Sequence, residues 1–237
     1  MGGWLDLGMK NILARGGIEF LAVFLGIALS LWVDEYQKSK DAKNLNNQIL
    51  NRLYDNLEAD SIDAEWNYKA HKIAFESSNL IFNWCSDGQP ENDSISLYLS
   101  RLAIATTLVN NEEEYNALKS SGRMELLNNA DIVRALHDYY TWIRYVKNSE
   151  LNIINISINQ FLPFMSNYSE YYGLDSATNV YSNAYPLFKL YKNPPNKELS
   201  YYASFIGTYA NYSSNIYTGL LKRVVELRRM IRKELSS

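Results

Sequence analysis

The chain has 237 residues, of which 47% are hydrophobic, and a formal net charge of -3. This length accommodates one membrane anchor and one domain of about 200 residues with a full core, and the hydrophobic content excludes a disordered chain. The slight acidic balance excludes a global basic field, so we expect no nucleic-acid partner. The single cysteine, Cys85, excludes an internal disulfide. His71 and His137 are the only histidines, and we therefore expect no metal, no cofactor and no catalytic residues.

Residues 1–15 precede the most apolar part of the chain and mix apolar with polar side chains. The apolar positions recur at spacings that suit a short helix lying in the membrane interface. They are Trp4, Leu5, Leu7, Met9, Ile12 and Leu13. A frayed N-terminus is the alternative interpretation of the same residues.

Residues 16–33, GGIEFLAVFLGIALSLWV, carry one charged side chain and are predicted to form a single transmembrane helix. A helix of this length rises roughly 27 Å, just enough for the hydrocarbon core of a bilayer. Trp32 suits the interface, and Asp34 ends the apolar run. A cleaved signal peptide would be shorter and end in a small-x-small site, so an uncleaved anchor is favoured. A buried helix of a soluble core is the remaining alternative.

Glu19 is the ionisable residue inside this predicted span. A carboxylate in lipid is costly when unpaired, so it is a candidate functional group that lines a pore or accepts a partner's hydrogen bonds. The structural alternative is a pair with Arg15, one helical turn away and near the interface.

The orientation of the span is weakly determined, because lysines and arginines occur on both flanks. A short N-terminal tail before a large domain favours an N-in topology, which places the domain on the periplasmic side of a bacterial inner membrane. The cytoplasmic side is the alternative.

Residues 34–237 are predicted to form a helical extramembrane domain. The first helix continues from the span to about Trp84, because no Gly or Pro occurs between Val33 and Gly88 and apolar residues recur at helical steps. The apolar stripe lapses at residues 59–63, where we expect a break.

Four further helices follow a turn at residues 86–90. They are predicted over residues 95–108, between Asn111 and Gly122, over residues 130–162 and over residues 197–234. Asn111 with Glu114 fits an N-cap and its partner, Gly122 fits a C-cap, and Asn129 fits a second N-cap.

Pro163 is expected to end or kink the third of these helices. The stretch 166–196 lacks firm periodicity, and its aromatic residues favour an ordered connection with short helical turns. Strand signals are nearly absent. The predicted fold is all-α, with a single N-terminal transmembrane helix that continues into an antiparallel bundle of long helices.

A basic cluster lies near the C-terminus and is a candidate contact for anionic headgroups at a membrane surface. It consists of Lys222, Arg223, Arg228, Arg229, Arg232 and Lys233. A solvated helix face, with cations that complement the helix dipole, explains the same residues.

Two segments resemble a known family. GIEFLAVFLGIALSLWVDEYQK, which begins at Gly17, and EEEYNALKSSGRMELLNNADIVRALHDYY, which begins at Glu112, resemble the two signatures of an uncharacterised membrane protein family of Bacteroidota, the DUF6090 family. The resemblance implies an inner-membrane protein and carries no established activity. The second signature selects a candidate turn made of Tyr115, Leu118, Ser121 and Gly122, which either a ligand pocket or tight helix-turn packing explains.

The sequence leaves two functions open and gives no basis for an enzyme. The first is an anchored interaction or scaffold protein that self-associates or docks a membrane partner. The second is a subunit of an oligomeric channel or signalling complex in which Glu19 faces a central pathway. The expected partners are the lipid bilayer and either further copies of the chain or another membrane protein.

Overall fold

A computed structural model describes the backbone of residues 4–171 and 188–236 and the side chains from Phe20 onward, apart from that of Tyr171. Residues 1–3, 172–187 and 237, and the side chains of residues 4–19, lie outside this description. The chain divides into two units, Met1–Ile49 and Leu50–Ser237.

Helix α1 (Trp4–Ser86) forms the first unit and continues into the second. The predicted continuous helix is confirmed, whereas the break expected at residues 59–63 is wrong. The apolar stripe lapses there because polar residues occupy the inward positions and find hydrogen-bond partners in the fold. Helix α1 is also continuous across residues 15 and 16, where the sequence predicts that an interfacial segment ends and the transmembrane span begins. The side chains of residues 4–19 are outside the description.

The second unit contains the remaining helices. They are α2 (Ile95–Leu102), α3 (Glu113–Ser120), a 3-10 turn (Arg123–Leu126), α4 (Ala130–Ile156), a π turn (Ser157–Phe161), α5 (Leu162–Met165) and α6 (Asn196–Leu235). The predicted all-α fold with long helices is confirmed. Helix α4 begins at its predicted cap, because the Asn129 side chain accepts hydrogen bonds from the amides of Asp131 and Ile132. Helix α6 begins and ends within one residue of prediction.

Helix α6 runs antiparallel to α4 and to the domain part of α1. Near one end Arg223 contacts Asp138, and farther along the indole of Trp142 donates to the carbonyl of Ile216 at 3.0 Å. The helices approach closely at two glycines. A Cβ on Gly219 would lie 2.7 Å from the Trp142 ring, and a Cβ on Gly207 would lie 2.0 Å from the Ser78 hydroxyl oxygen.

Helix α4 runs in the same direction as the domain part of α1, because the connection between them returns the chain to the end of the domain where that part of α1 begins. An extended segment, residues 104–112, makes this return. The helix predicted over residues 95–108 is therefore wrong beyond Leu102. The segment is rich in β-branched residues, which favour extended backbone, and the carboxylates of α1 and α4 bind its amides.

Two further predictions differ from the structure. Asn111 does not form a capping box with Glu114: the α3 cap is Glu112, and Glu114 instead makes a bidentate pair with Arg52 at 2.7 and 2.9 Å. The connection 166–196 contains a two-stranded antiparallel ribbon of β1 (Ser169–Tyr171) and β2 (Phe188–Leu190), where short helical turns were expected. Most of that connection lies outside the described residues.

Candidate functional site

The exposed apolar segment, residues 20–33 of α1, is the first candidate site. None of its residues is buried, and Phe20 and Trp32 are 68% and 64% exposed. Among the described residues, one helix, which contains this segment, is long and apolar enough to cross a membrane, and none of its most apolar window is buried. Contiguous exposed apolar surface of this kind marks a site that contacts protein or lipid.

A polar boundary ends the exposed apolar segment. The Trp32 ring stacks on Tyr36 at 6.0 Å between centroids, and Lys38 pairs with Asp34 at 2.7 Å. An apolar run followed by an aromatic pair and an ion pair is a pattern typical of the end of a membrane-spanning helix. The side chains of Glu19 and Arg15 are outside the description, so their pairing stays a prediction.

Most of the basic cluster is engaged within the domain. Arg223 pairs with Asp138 at 2.7 Å and lies over the Trp142 ring at 3.9 Å. Arg228 pairs with Glu58 at 2.7 Å, and Arg232 donates to the hydroxyl of Tyr54. Arg229 pairs with Glu226. These contacts favour the interpretation as a bundle surface, and headgroup binding by the cluster stays a prediction, including for Lys222 and Lys233.

The candidate turn of the second signature packs against α4. Tyr115 is buried, its hydroxyl lies 2.7 Å from Nδ1 of His137, and its ring stacks on Tyr140 at 4.0 Å. Leu118 is buried, and the Ser121 hydroxyl donates to the carbonyl of Ala117. Gly122 has φ 69°, the left-handed conformation that glycine adopts freely at a helix C-terminus. Tight helix-turn packing therefore accounts for all four residues.

A buried polar network lies inside the domain and is the second candidate site. Asp60 is 1% exposed, and its carboxylate accepts the hydroxyl of Tyr139 at 2.7 Å and the amide of Asn111 at 2.9 Å. Asp63 accepts the amide of Val109 and the side-chain amide of Asn67, both at 2.9 Å.

The same network extends to α4 and α6 through Glu150, which is also buried. Its carboxylate accepts the amide of Leu108 at 2.8 Å and the hydroxyl of Tyr217. Three carboxylates thus bind three amides of one extended segment, whose backbone has no helical or sheet partner of its own there. The arrangement holds residues 104–112 in the groove between α1 and α4.

Burial sets the protonation of this network. Desolvation raises the pKa of Asp60, Asp63 and Glu150, while the hydrogen bonds that each accepts act in the opposite direction. Desolvation, followed by the neighbouring carboxylates, raises the pKa of Tyr139 and Tyr217. Both tyrosines therefore remain donors. Asp60, Glu150 and the two tyrosines are buried, Asp63 is half-buried, and the hydrogen bonds of the network join α1, α4, α6 and the extended segment.

His71 lies at the far end of the network, and burial lowers its pKa to about 4. Its Nε2 lies 3.5 Å from the Thr106 hydroxyl oxygen, and its ring contacts that of Tyr217. Among the described residues, Nδ1 of His71 and Oδ1 of Asn67 are buried without a hydrogen-bond partner, and no group of three or more His, Cys, Asp or Glu is placed to hold a metal.

Cys85 is a buried free thiol, and desolvation raises its pKa. Cys85 is therefore a small residue of the core, because a reactive cysteine needs an accessible thiolate.

Comparisons of the chain with protein-family models, with curated proteins and with solved structures gave no match. The family resemblance of the two segments therefore stays a prediction.

Sequence reasoning missed the buried polar network, although a signal for it exists. Inward residues of α1 alternate by four and three, and Asp60, Asn67 and His71 occupy positions of the same series as Leu53, Leu57 and Ala64. Polar residues that keep the register of an apolar stripe indicate a partnered polar core rather than an interruption.

Proposed function

We propose that the chain is a single-pass, membrane-anchored interaction or scaffold protein of a bacterial inner membrane. The exposed apolar segment carries the proposal. Its residues are apolar on every side of the helix, and no described residue buries any of them. A helix that is hydrophobic all round requires an apolar surrounding, and a bilayer supplies it while the helix satisfies its own backbone groups.

The domain supports a non-enzymatic role for the anchored chain. Its internal carboxylates, tyrosines and histidine are used in holding helices and the extended segment together. One surface hollow of the domain has a volume of about 430 Å³ and is lined by Tyr68, Thr218, Leu221, Lys222, Val225 and Glu226, of which only Lys222 and Glu226 are charged. We propose that the domain works through its outer surfaces, as self-association or docking of a partner at the membrane.

The anchor is tested by extraction of bacterial membranes that contain the full chain with alkaline carbonate. We expect the chain to stay in the membrane pellet. Leu25→Arg combined with Leu29→Arg should release it, because each arginine at the centre of a span costs about 3 kcal/mol. Both leucines are exposed on the helix, so the substitutions disturb no packing of the described chain.

Val225→Arg is the matched control, since Val225 is 65% exposed in the domain and an arginine there should leave the chain in the pellet. Release of the unmodified chain by carbonate would contradict the anchor. Retention of the double variant would contradict the assignment of residues 16–33 as the span.

The scaffold role is tested by the mass of the full chain in lipid nanodiscs or detergent, measured by mass photometry. Self-association predicts a discrete oligomer, and a strict monomer that captures no membrane partner after cross-linking contradicts the scaffold proposal. The side of the membrane is tested by fusions of alkaline phosphatase and of GFP to the C-terminus. Active phosphatase supports the periplasmic placement that we propose, whereas a fluorescent GFP fusion contradicts it.

A further inference from the structure

One face of the α4–α6 pair has no charged residue over a long distance. Helix α6 carries no Asp, Glu, Lys or Arg from Leu199 to Leu221, and the chain from Leu151 to Ser169 has none either. The charged residues just before this second stretch are occupied elsewhere: Glu150 is buried in the network, and Lys147 pairs with Glu112. Charges make up 21% of the chain, so their absence from this face distinguishes it from the other surfaces.

Aromatic rings stand exposed along the α6 side of this face. Tyr201, Phe205 and Tyr212 are 57%, 41% and 43% exposed, and they follow one another at helical steps of four and seven residues. The rings of Tyr201 and Phe205 stack with centroids 5.4 Å apart. The three side chains extend over about 16 Å of helix, at about 1.5 Å per residue.

Amide side chains form a parallel row on the α4 side. Asn148, Asn152, Asn155 and Asn159 are all exposed and recur at steps of four, three and four residues. Tyr145 begins this row three residues before Asn148, and its hydroxyl is hydrogen-bonded to that of Tyr212. This contact joins the two rows into one surface, which we call the aromatic–amide face.

We propose that the aromatic–amide face binds a neutral polysaccharide chain. The C–H faces of sugar rings carry partial positive charge and pack on the negative faces of aromatic rings. Sugar hydroxyls both donate and accept, as do the amide groups of the asparagines and the hydroxyls of the tyrosines. The face runs along about 16 Å of helix, which suits several units of a linear chain better than one small molecule.

The composition of the face argues against anionic ligands and against acyl chains. Among the described residues its two rows contain no cation to attract a phosphate, a nucleic acid or an anionic lipid headgroup. Arg144 and Lys197 lie one helical turn before Asn148 and Tyr201, at the ends of the face. Asn159 donates to Asn155 and Asn152 to the carbonyl of Asn148, but an acyl chain would cover the remaining amide donors and acceptors without giving them partners, at a cost for each one. The face and a neutral polyol, by contrast, match in charge and in hydrogen-bonding capacity.

The inference deepens the proposed function by naming a partner, and it rests on that proposal only for its location at a membrane. The test uses the full chain in lipid nanodiscs, because detergents with sugar headgroups would compete. The probes are laminarin, dextran, mannan, xyloglucan and chitin oligosaccharides, and binding is followed by biolayer interferometry. We expect at least one to bind, with an affinity that high salt leaves unchanged.

Tyr201→Ala combined with Phe205→Ala should weaken that binding by about tenfold, as truncation of exposed aromatic anchors does. The matched control is Ile62→Ala combined with Trp66→Ala, a pair at the same helical spacing on α1 that is 67% and 41% exposed. The control should bind like the unmodified chain.

A second variant, Asn148→Ala with Asn152→Ala, guards against misfolding, since alanine favours the helix. It should weaken binding while the circular dichroism spectrum stays the same.

Failure of every probe to bind, equal losses in the aromatic pair and its control, or loss of binding in high salt would each overturn the inference. So would dissociation of an oligomer by the aromatic pair, because the face would then be an interface between copies. Carbonate extraction reports on the anchor separately, so a chain that stays in the membrane without binding polysaccharide contradicts this inference alone.

Discussion

Helix α1 carries two opposite arrangements of side chains. In residues 20–33 the apolar side chains point outward and none is buried, whereas between Asp60 and His71 polar side chains point inward among leucines and alanines. In a soluble protein, exposed helix positions are mostly polar and buried positions mostly apolar. Helix α1 reverses both preferences, the first in residues 20–33 and the second between Asp60 and His71. The difference shows that the surroundings, rather than helix propensity, decide which residue types each part of a helix can carry.

The two parts meet their hydrogen-bond requirements differently. The exposed apolar segment has almost no side-chain polar atoms to satisfy, and its backbone is satisfied within the helix. The domain part places carboxylates in the interior, where an unpartnered polar group is costly, and each one accepts amide or hydroxyl donors. The inward carboxylates are therefore each partnered by donors that another segment supplies.

The largest expected effect concerns the domain part of α1, where apolar side chains are buried. Leu57 is fully buried in α1, so Leu57→Ala should lower the free energy of unfolding of the domain by about 2–5 kcal/mol. The measurement is urea unfolding of the full chain in nanodiscs, followed by tryptophan fluorescence. A loss below about 1 kcal/mol would show that this part of α1 is not core.

The next prediction concerns the partnered carboxylates. Asp60→Ala leaves the Tyr139 hydroxyl and the Asn111 amide buried without their acceptor, and should lower the free energy of unfolding by about 2–4 kcal/mol. Asp55→Ala, at an exposed position of the same helix, should change it by less than about 0.5 kcal/mol. Hydrogen exchange at residues 104–112 should increase in the first variant only. Equal effects of the two substitutions would show that the buried hydrogen bonds of Asp60 do not stabilise the domain.

A third prediction uses pH. Because the pKa of His71 is lowered from 6.5 to about 4 by burial, the unfolded chain takes up a proton in this range while the folded chain does not. Acidification from about pH 7.5 to about pH 5 should therefore cost about 2 kcal/mol through this residue. The raised pKa values of Asp60, Asp63 and Glu150 act in the opposite sense, since the folded chain then binds protons more readily.

His71→Leu separates these contributions. Relative to the unmodified chain, the variant should become more stable as the pH falls, by the same about 2 kcal/mol. Its stability at neutral pH does not enter the comparison. Parallel pH profiles for the two proteins would show that His71 is not buried in its neutral form.

The sequence predicts those elements that depend on local signals. Asn129 caps the start of α4, and Gly122 takes the left-handed conformation in the turn after α3. Both could be predicted because an amide cap and a left-handed glycine act over a few neighbouring residues. The continuity of α1 beyond Val33 follows from the absence of Gly and Pro between Val33 and Gly88. The extended segment and the inward Asp60 could not be predicted in this way, because each depends on a partner distant in sequence: Asn111 lies 51 residues after the carboxylate that binds its amide.

The smallest expected effect tests the exposed side of the comparison. Leu29 is 60% exposed, and it is the same residue type in the same helix as Leu57. Leu29→Ala should change the free energy of unfolding of the domain by less than about 0.5 kcal/mol, because no described neighbour loses contact with it. The chain should also stay in the membrane after carbonate treatment, since the rest of the segment remains apolar. A loss of more than about 1 kcal/mol, or a smaller oligomer by mass photometry, would mean that Leu29 packs against a second helix. The exposed apolar segment would then contact a second protein helix as well as lipid. Its side chains would be exposed in the isolated chain only.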